Sequence, residues 1–211
     1  MRCPLCDAEH IRHFHSDVRR DYFRCAQCAL VFVPRRFHLG PEAERDEYLL
    51  HENEVDDPGY RNFLSRLSQP LLTRLSPSSS GLDFGCGNGP ALAAMLREAG
   101  HTVALYDPFF APAQGVLAGH YDFVTATEVV EHLGRPGMEL DRLWDLLQPG
   151  GWLGIMTKLV LGQREFAGWH YKNDPTHVCF FSRHTWEWWA GARGAALEFL
   201  GSDVILLQRV Q

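Results

Sequence analysis

Four cysteines fall as two CxxC pairs, Cys3-Pro4-Leu5-Cys6 and Cys25-Ala26-Gln27-Cys28, and they constrain the first 38 residues more tightly than any other feature. Each pair sets two thiolates at the mouth of a tight turn, and two such knuckles complete the tetrahedral sulfur shell of a closed, structural zinc site. Between and after them, Tyr22-Phe23 and Leu30-Val31-Phe32-Val33 read as short strands, so a zinc ribbon is expected with Cys3, Cys6, Cys25 and Cys28 as ligands. Paired disulfides are the competing use of such cysteines. Met1 leads straight into the first knuckle without a secretory leader, which favours thiolates and a cytoplasmic protein. His10, His13, His15 and His38 are alternative ligand types, but four sulfurs already close the shell.

The 211 residues leave room for one mid-sized core beside this module, and no apolar run is long enough for a membrane span. The formal charge of -6 is unevenly spread: residues 1–40 are basic and residues 41–60 strongly acidic. Arg19, Arg20, Arg24, Arg35 and Arg36 are thus candidates for touching a polyanion, with plain solvation as the alternative. The acidic stretch 41–56 reads as a connector or short exposed helix. Asp57-Pro58 is a helix start, and Phe63, Leu64, Leu67, Leu71 and Leu75 recur at helical spacing, with Pro70 as a kink. The Ser76–Gly81 breaker cluster then sets this helix apart from the rest of the chain. The expected organisation is a ribbon over 1–38, a connector and capping helix over 39–80, and a catalytic domain over 81–211.

From residue 81, short apolar runs alternate with helical stretches, the pattern of crossover units on a mainly parallel sheet. Strands are expected at 81–84, 102–106, 123–126 and 152–157, and helices at 90–99, around 140–147 and after Ser182. The chain closes in an antiparallel hairpin of 197–200 with 204–208. Between the first strand and helix lies Asp83-Phe84-Gly85-Cys86-Gly87-Asn88-Gly89, where glycines let the backbone approach a ligand and the helix start offers free N–H groups. Asp107 ends the second strand, placed to accept hydrogen bonds from ribose hydroxyls. A nicotinamide dehydrogenase would share these two features, but the glycine spacing is G-x-G-x-G and an acid precedes the first glycine.

These residues resemble the class I S-adenosylmethionine-dependent methyltransferases. Leu82–Gly89 is similar to that family's first motif and Tyr106-Asp107 to its ribose-binding acid. Tyr121–Leu133 is similar to its fourth-strand motif, and Leu147-Gln148-Pro149-Gly150-Gly151 to the turn before its fifth strand. The resemblance covers about residues 81–208 and implies a Rossmann-like α/β sheet ending in an antiparallel hairpin. It implies S-adenosylmethionine contacts from Asp83, Gly85, Cys86, Gly87, Asn88, Gly89, Tyr106, Asp107, Thr127, Glu128 and Val129. The short stretch from Asp107 to Tyr121 departs from the family, so the third-strand edge is expected to be trimmed, with Phe109, Phe110 or the amino-terminal helix covering the adenine instead. The amino-terminal part resembles zinc ribbons fused ahead of sugar C-methyltransferases and ribosomal RNA guanine methyltransferases.

Methyl transfer from a sulfonium needs an aligned nucleophile and exclusion of water, with a base optional. His132, His170 and His177 are the candidate bases, and Tyr48, His51, Asn53, Tyr60 and Arg61 a candidate lid. Cys86 and Cys179 carry no partner pattern for nucleophilic catalysis. The expected acceptor is a small molecule. The alternatives are an RNA methyltransferase that uses its ribbon for RNA contact, and a non-catalytic adaptor that keeps the cofactor fold.

Overall fold

The computed structural model describes residues 1–50 and 54–210. His51 and Asn53 of the expected lid lie outside the described residues. In the amino-terminal ribbon, β1 (Ile11–Ser16), β2 (Asp21–Cys25) and β3 (Val31–Phe32) form antiparallel pairs. The acidic stretch folds as helix α1 (Pro41–Leu49), with Pro41 at its first turn. Helix α2 (Pro58–Leu72) starts as its sequence indicates: the Asp57 side chain accepts the Tyr60 N–H, and Pro70 is accommodated in its last turns.

Alternation then builds the main sheet. β4 (Ser80–Phe84), α3 (Ala91–Glu98), β5 (Thr102–Tyr106), β6 (Tyr121–Thr127), α4 (Pro136–Asp145) and β7 (Leu147–Met156) come in order. Next are the short α5 (Gln163–Ala167), β8 (Cys179–Phe180), α6 (Arg183–Gly191), β9 (Ala196–Leu200) and β10 (Val204–Gln208). The sheet order is β5-β4-β6-β7-β10-β9, parallel from β5 to β7 and antiparallel at β10 and β9. β5 is the edge strand. Only a 3-10 turn, Gln114–Ala118, lies between it and β6, so the third-strand edge is indeed trimmed. The closing hairpin pairs Val204 with Leu200 and Gln208 with Ala196, as the alternating apolar pattern requires.

Successive strand residues point to opposite faces and feed two cores. On one face Phe123, Met156 and Leu206 pack with Leu64, Leu67 and Leu71 of α2 and with Leu92 and Leu96 of α3. On the other, Leu82, Val124, Leu153 and Ile205 pack with Leu140 and Leu143 of α4 and continue without a break into Phe14, Tyr22, Val31 and Phe32 of the ribbon. So α2, although a Ser/Pro/Gly cluster comes after it, packs as a layer against one face of the sheet. The ribbon, likewise, shares a core with the rest of the chain.

Two backbone contacts make the ribbon continuous with the larger unit. β3 pairs with β8, placing Val31 opposite Phe180 and Phe32 opposite Cys179, so a strand from late in the chain completes the ribbon's sheet. At the other end the first CxxC knuckle sits on the start of α4, where the Gly137 N–H donates to the Pro4 carbonyl at 3.2 Å. A Cβ on Gly137 would stand 2.3 Å from the Leu5 carbonyl oxygen, so only glycine admits this approach.

Candidate functional site

β4 lies between β5 and β6, and a crevice opens where their carboxyl ends diverge. It is a cleft of about 950 Å³. The turn after β4 supplies Gly85, Cys86, Gly87 and Asn88 to its wall, the end of β5 supplies Tyr106 and Asp107, and the end of β6 supplies Thr127, Glu128 and Val129. Gly85 has φ +72°, and a Cβ there would meet Val129 at 2.5 Å, which ties the glycine turn to the residue after β6.

Two of the expected cofactor residues stand back from the cleft wall. Asp83 and Gly89 do not line the cleft. Asp83 lies beneath the turn, 4% exposed, and accepts the Thr125 hydroxyl at 2.8 Å. Burial pushes its carboxyl up to about 6, against the lowering effect of that hydroxyl. It supports the turn from below.

Asp107 reaches the cleft, but much of its accepting capacity is taken. One oxygen accepts the Phe109 and Phe110 N–H groups at 2.8 and 3.0 Å, and the other accepts the Gly87 N–H at 3.0 Å. A carboxylate oxygen has two lone pairs, so Oδ2 keeps one for a ligand and Oδ1 none. The residue therefore joins the glycine turn to the loop after β5, which an outward-pointing ribose acid alone would not do. Phe109 and Phe110 from that loop line the cleft.

Glu128 stands at φ +52°, a left-handed conformation unusual for a residue with a Cβ. Strained positions of this kind concentrate at functional sites. Its Oε1 is buried with no hydrogen-bond partner among the described residues, as is the Thr127 hydroxyl. These orphaned polar atoms beside a glycine cradle fit the amino-acid end of S-adenosylmethionine, whose ammonium and carboxylate need such partners.

The three candidate bases separate. His170 lines the cleft at an exposed position, and its Nε2 lies 3.1 Å from the Lys158 ammonium, a donor that takes up the nitrogen's lone pair. His132 and His177 sit together, ring centroids 4.7 Å apart, and both line the cleft. The Nδ1 of His177 is 2.7 Å from the Tyr171 carbonyl oxygen, and its Nε2 is 3.7 Å from Asp174 Oδ2. Glu131 and Tyr171 were not among the residues expected from the sequence. Both are buried, and the Tyr171 hydroxyl donates to Glu131 and lies 3.1 Å from Glu128 Oε2. Burial pushes the carboxyls of Glu128 and Glu131 well above their ordinary range, the shared Tyr171 hydroxyl opposing the shift. The spacing Glu128-Val129-Val130-Glu131-His132 was the available signal, with two acids three apart directly after a strand.

At the ribbon the four cysteine sulfurs lie within 4.8 Å of one another, with Cys3–Cys28 and Cys6–Cys25 each at 3.5 Å. None is bridged. The cluster has the donor set and size for a tetrahedral ion with Zn–S bonds of about 2.3 Å. Two of the ribbon histidines are bonded elsewhere: His13 to Ser16, and His38 to the Val33 carbonyl.

Three of the ribbon arginines are engaged within the chain, while Arg24 and Arg35 stay exposed. Arg20 is 7% exposed and donates to the carbonyls of Lys172, Asp174 and Pro175 at 2.5, 2.7 and 3.1 Å, and to the Tyr22 hydroxyl. Arg19 donates to the Asn173 carbonyl, and Arg36 pairs with Asp21. In the reverse direction Lys172 reaches Asp17 at 2.8 Å. Burial raises the Asp17 carboxyl, but the Lys172 ammonium and two backbone N–H groups outweigh it and hold that carboxyl well below its usual range. The ribbon hairpin thus clasps the segment that ends in His177.

The lid residues divide as well. Tyr48 of α1 lines the cleft, its ring 5.8 Å from Phe109 and 5.2 Å from His132, and Tyr60 lines it too. Arg61 points away, paired with Glu98. Cys86 lies half-buried at the wall, burial pushing its thiol up to about 12. Cys179 is buried against the Leu133 carbonyl.

The family described as Methyltransferase domain matches residues 58–198. No curated protein matches the chain. Among solved structures, 1,6-didemethyltoxoflavin-N1-methyltransferase of Burkholderia thailandensis, determined with 1,6-didemethyltoxoflavin and S-adenosylhomocysteine, is 17% identical over 95% of this chain and 100% of its own, with a TM-score of 0.57. A SAM-dependent methyltransferase of Archaeoglobus fulgidus is 15% identical over 70% and 94%, with a TM-score of 0.52. A complex of the Trm112 methyltransferase activator with a methyltransferase of Haloferax volcanii is similar at 11% identity over 74% and 94%, TM-score 0.50. At these identities the likeness is one of fold.

Proposed function

This chain belongs to the methyltransferase-domain family and is an S-adenosylmethionine-dependent methyltransferase; from that premise we propose that its acceptor is a small molecule. The carrying observation is how the ribbon arginines are used. Arg20 and Arg19 bind backbone carbonyls and Arg36 an aspartate, so three of the five arginines that could have met RNA already serve the fold, while Arg24 and Arg35 stay exposed. The cleft is instead walled by α1 and the 170–177 segment, and a pocket of about 950 Å³ suits a cofactor and a compact acceptor.

When bound, S-adenosylmethionine supplies an electrophilic methyl group on a sulfonium. The backbone of Gly85, Cys86, Gly87 and Asn88 would hold its amino-acid end, with Thr127 and Glu128 offering their orphaned oxygens. Asp107 Oδ2 would accept one ribose hydroxyl. Val129 forms part of the floor, and Tyr106, Phe109 and Phe110 offer ring faces. His177 and His132, which also line the cleft, would serve as acceptor-side groups. We assign zinc to Cys3, Cys6, Cys25 and Cys28, where it would hold the ribbon in the shape that positions Arg20, and we retain residues 1–38 as a ribbon, 39–80 as connector and capping helix, and 81–211 as the methyltransferase domain. No helix among the described residues is long and apolar enough to cross a membrane.

The test is label transfer. Zinc-replete protein is incubated with methyl-labelled cofactor and, in parallel, with a panel of small oxygen, nitrogen and carbon nucleophiles and with total RNA. Label in a small acceptor is expected, and label in RNA alone would overturn the reading. An adaptor would show no transfer, and Asp107→Ala would leave its binding of S-adenosylhomocysteine unchanged.

A further inference from the structure

Apart from the four cysteines, one other group of ligand-type side chains converges among the described residues. One carboxylate oxygen of Glu131 and one ring nitrogen each of His132 and His177 all lie within 4.8 Å of one another. Glu131 and His132 stand in the turn after β6, whereas His177 arrives on the segment that Arg20 clasps. The Val178 N–H, bonded to the Glu131 carbonyl at 2.8 Å, fixes the two segments side by side.

Three further features suit a cation. Glu131 is fully buried; one oxygen accepts the Tyr171 hydroxyl, and Oε2 has no hydrogen-bond partner among the described residues. A buried carboxylate with an unsatisfied oxygen calls for a proton or a metal ion. His177 meets the Tyr171 carbonyl through Nδ1 at 2.7 Å, which places the N–H on Nδ1 and the ligating lone pair on Nε2. A histidine oriented through its other nitrogen by a backbone carbonyl is the usual outer-shell arrangement of a metal ligand. Finally, Glu128 approaches the same Tyr171 hydroxyl at 3.1 Å and Asp174 lies 3.7 Å from His177 Nε2, adding negative charge around the three donors.

We propose that Glu131, His132 and His177 form a second metal site, for a divalent ion of the manganese, iron, cobalt or zinc class, open toward the cleft. Two imidazoles and one carboxylate make a facial donor set that leaves coordination positions vacant. His132 and His177 line the cleft, so those positions face the space assigned to the acceptor. Donors about 2.1 Å from an ion stand roughly 3 to 3.5 Å apart, so loading would draw the group together by about 1 Å, within the reach of a half-buried ring such as His132. The use of the site rests on the methyl-transfer reading: the ion would bind and orient an acceptor through oxygen, which narrows the acceptor to a hydroxyl-bearing compound. Its existence does not rest on that reading. The four-thiolate cluster is the softer site and takes zinc, which lets the two be filled separately.

The experiment uses full-length protein whose cysteine site is already loaded with zinc. Manganese(II) is titrated and the free ion followed by electron paramagnetic resonance, with cobalt(II) titrated in parallel. One manganese or cobalt ion per chain is expected, bound at least tenfold more weakly by Glu131→Gln and by His132→Gln. The second variant alters a half-buried side chain and keeps the comparison readable if the buried one fails to fold. Absence of binding by both ions, or equal binding in the parent and in a folded variant, overturns the proposal. Calorimetry with S-adenosylhomocysteine on the same samples is independent. Its failure beside intact metal binding would strike the methyl-transfer reading and leave the metal site standing.

Discussion

The two walls of the cleft are made in different ways. The wall proposed for the cofactor is local: Gly85 to Asn88, Tyr106-Asp107 and Thr127 to Val129 each sit at the end of a strand, and their shape results from glycine torsions and one carboxylate that accepts nearby N–H groups. The acceptor wall is assembled from far along the chain. Its segment 172–177 is held by Arg20, about 150 residues earlier, and that arginine belongs to the ribbon in which the four cysteines cluster. Damage to the ribbon should therefore reach the acceptor and spare the cofactor.

The strongest way to break this contrast is to remove the zinc proposed for the ribbon. Chelation, or Cys25→Ser, should cut methyl transfer by about a hundredfold, the scale expected when reacting groups shift by an ångström. Affinity for S-adenosylhomocysteine should change by about threefold or less, and parallel calorimetry and rate measurements check both. Equal losses in the two would show that the walls are not separable. Arg20→Met comes next. It retains the apolar stem but removes three charge-assisted hydrogen bonds to backbone carbonyls, at a cost of about 3 kcal/mol in urea unfolding. Amide hydrogen exchange should quicken over 171–178 and stay unchanged over 84–89.

The smallest effect lies on the cofactor wall. Asp83 is fully buried and its carboxyl is pushed up to about 6, so the folded state keeps a proton that the unfolded chain releases near pH 4. Its contribution to stability is complete below pH 4 and is lost as pH rises through about 6. Asp83→Asn keeps the acceptor for Thr125 without the buried charge. The variant should match the parent below pH 4 and exceed it by about 2 kcal/mol at pH 7, read from denaturant midpoints at several pH values.

Legibility in the sequence divides along the same line. The glycine turn, the trimmed edge, the closing hairpin, the Asp57 and Ser182 caps and the cysteine cluster are all carried by residues near one another in the chain, where torsion preference and spacing act directly. Arg20 illustrates the opposite case. Its neighbours Arg19 and Arg24 suggest a basic patch, and nothing within the ribbon discloses that its partners are carbonyls at 172–175. Glu131 and Tyr171 were missed for the same reason, since their pairing appears only when the turn after β6 meets the segment after α5. The place of α2 was obscured differently. The breaker cluster at 76–81 marks a turn, and turns join layers as readily as they part domains.

The pairing of β3 with β8 has a consequence for anyone trimming the chain. A truncation that starts at the family-matched region would leave Cys179 and Phe180 as a bare two-residue edge and uncover the ring cluster of Phe166, Phe180 and Trp169. Naked strand edges beside apolar rings invite other copies of the chain. Such a fragment should be sticky rather than minimal, which makes the whole polypeptide the sensible unit for crystallisation and for acceptor screening.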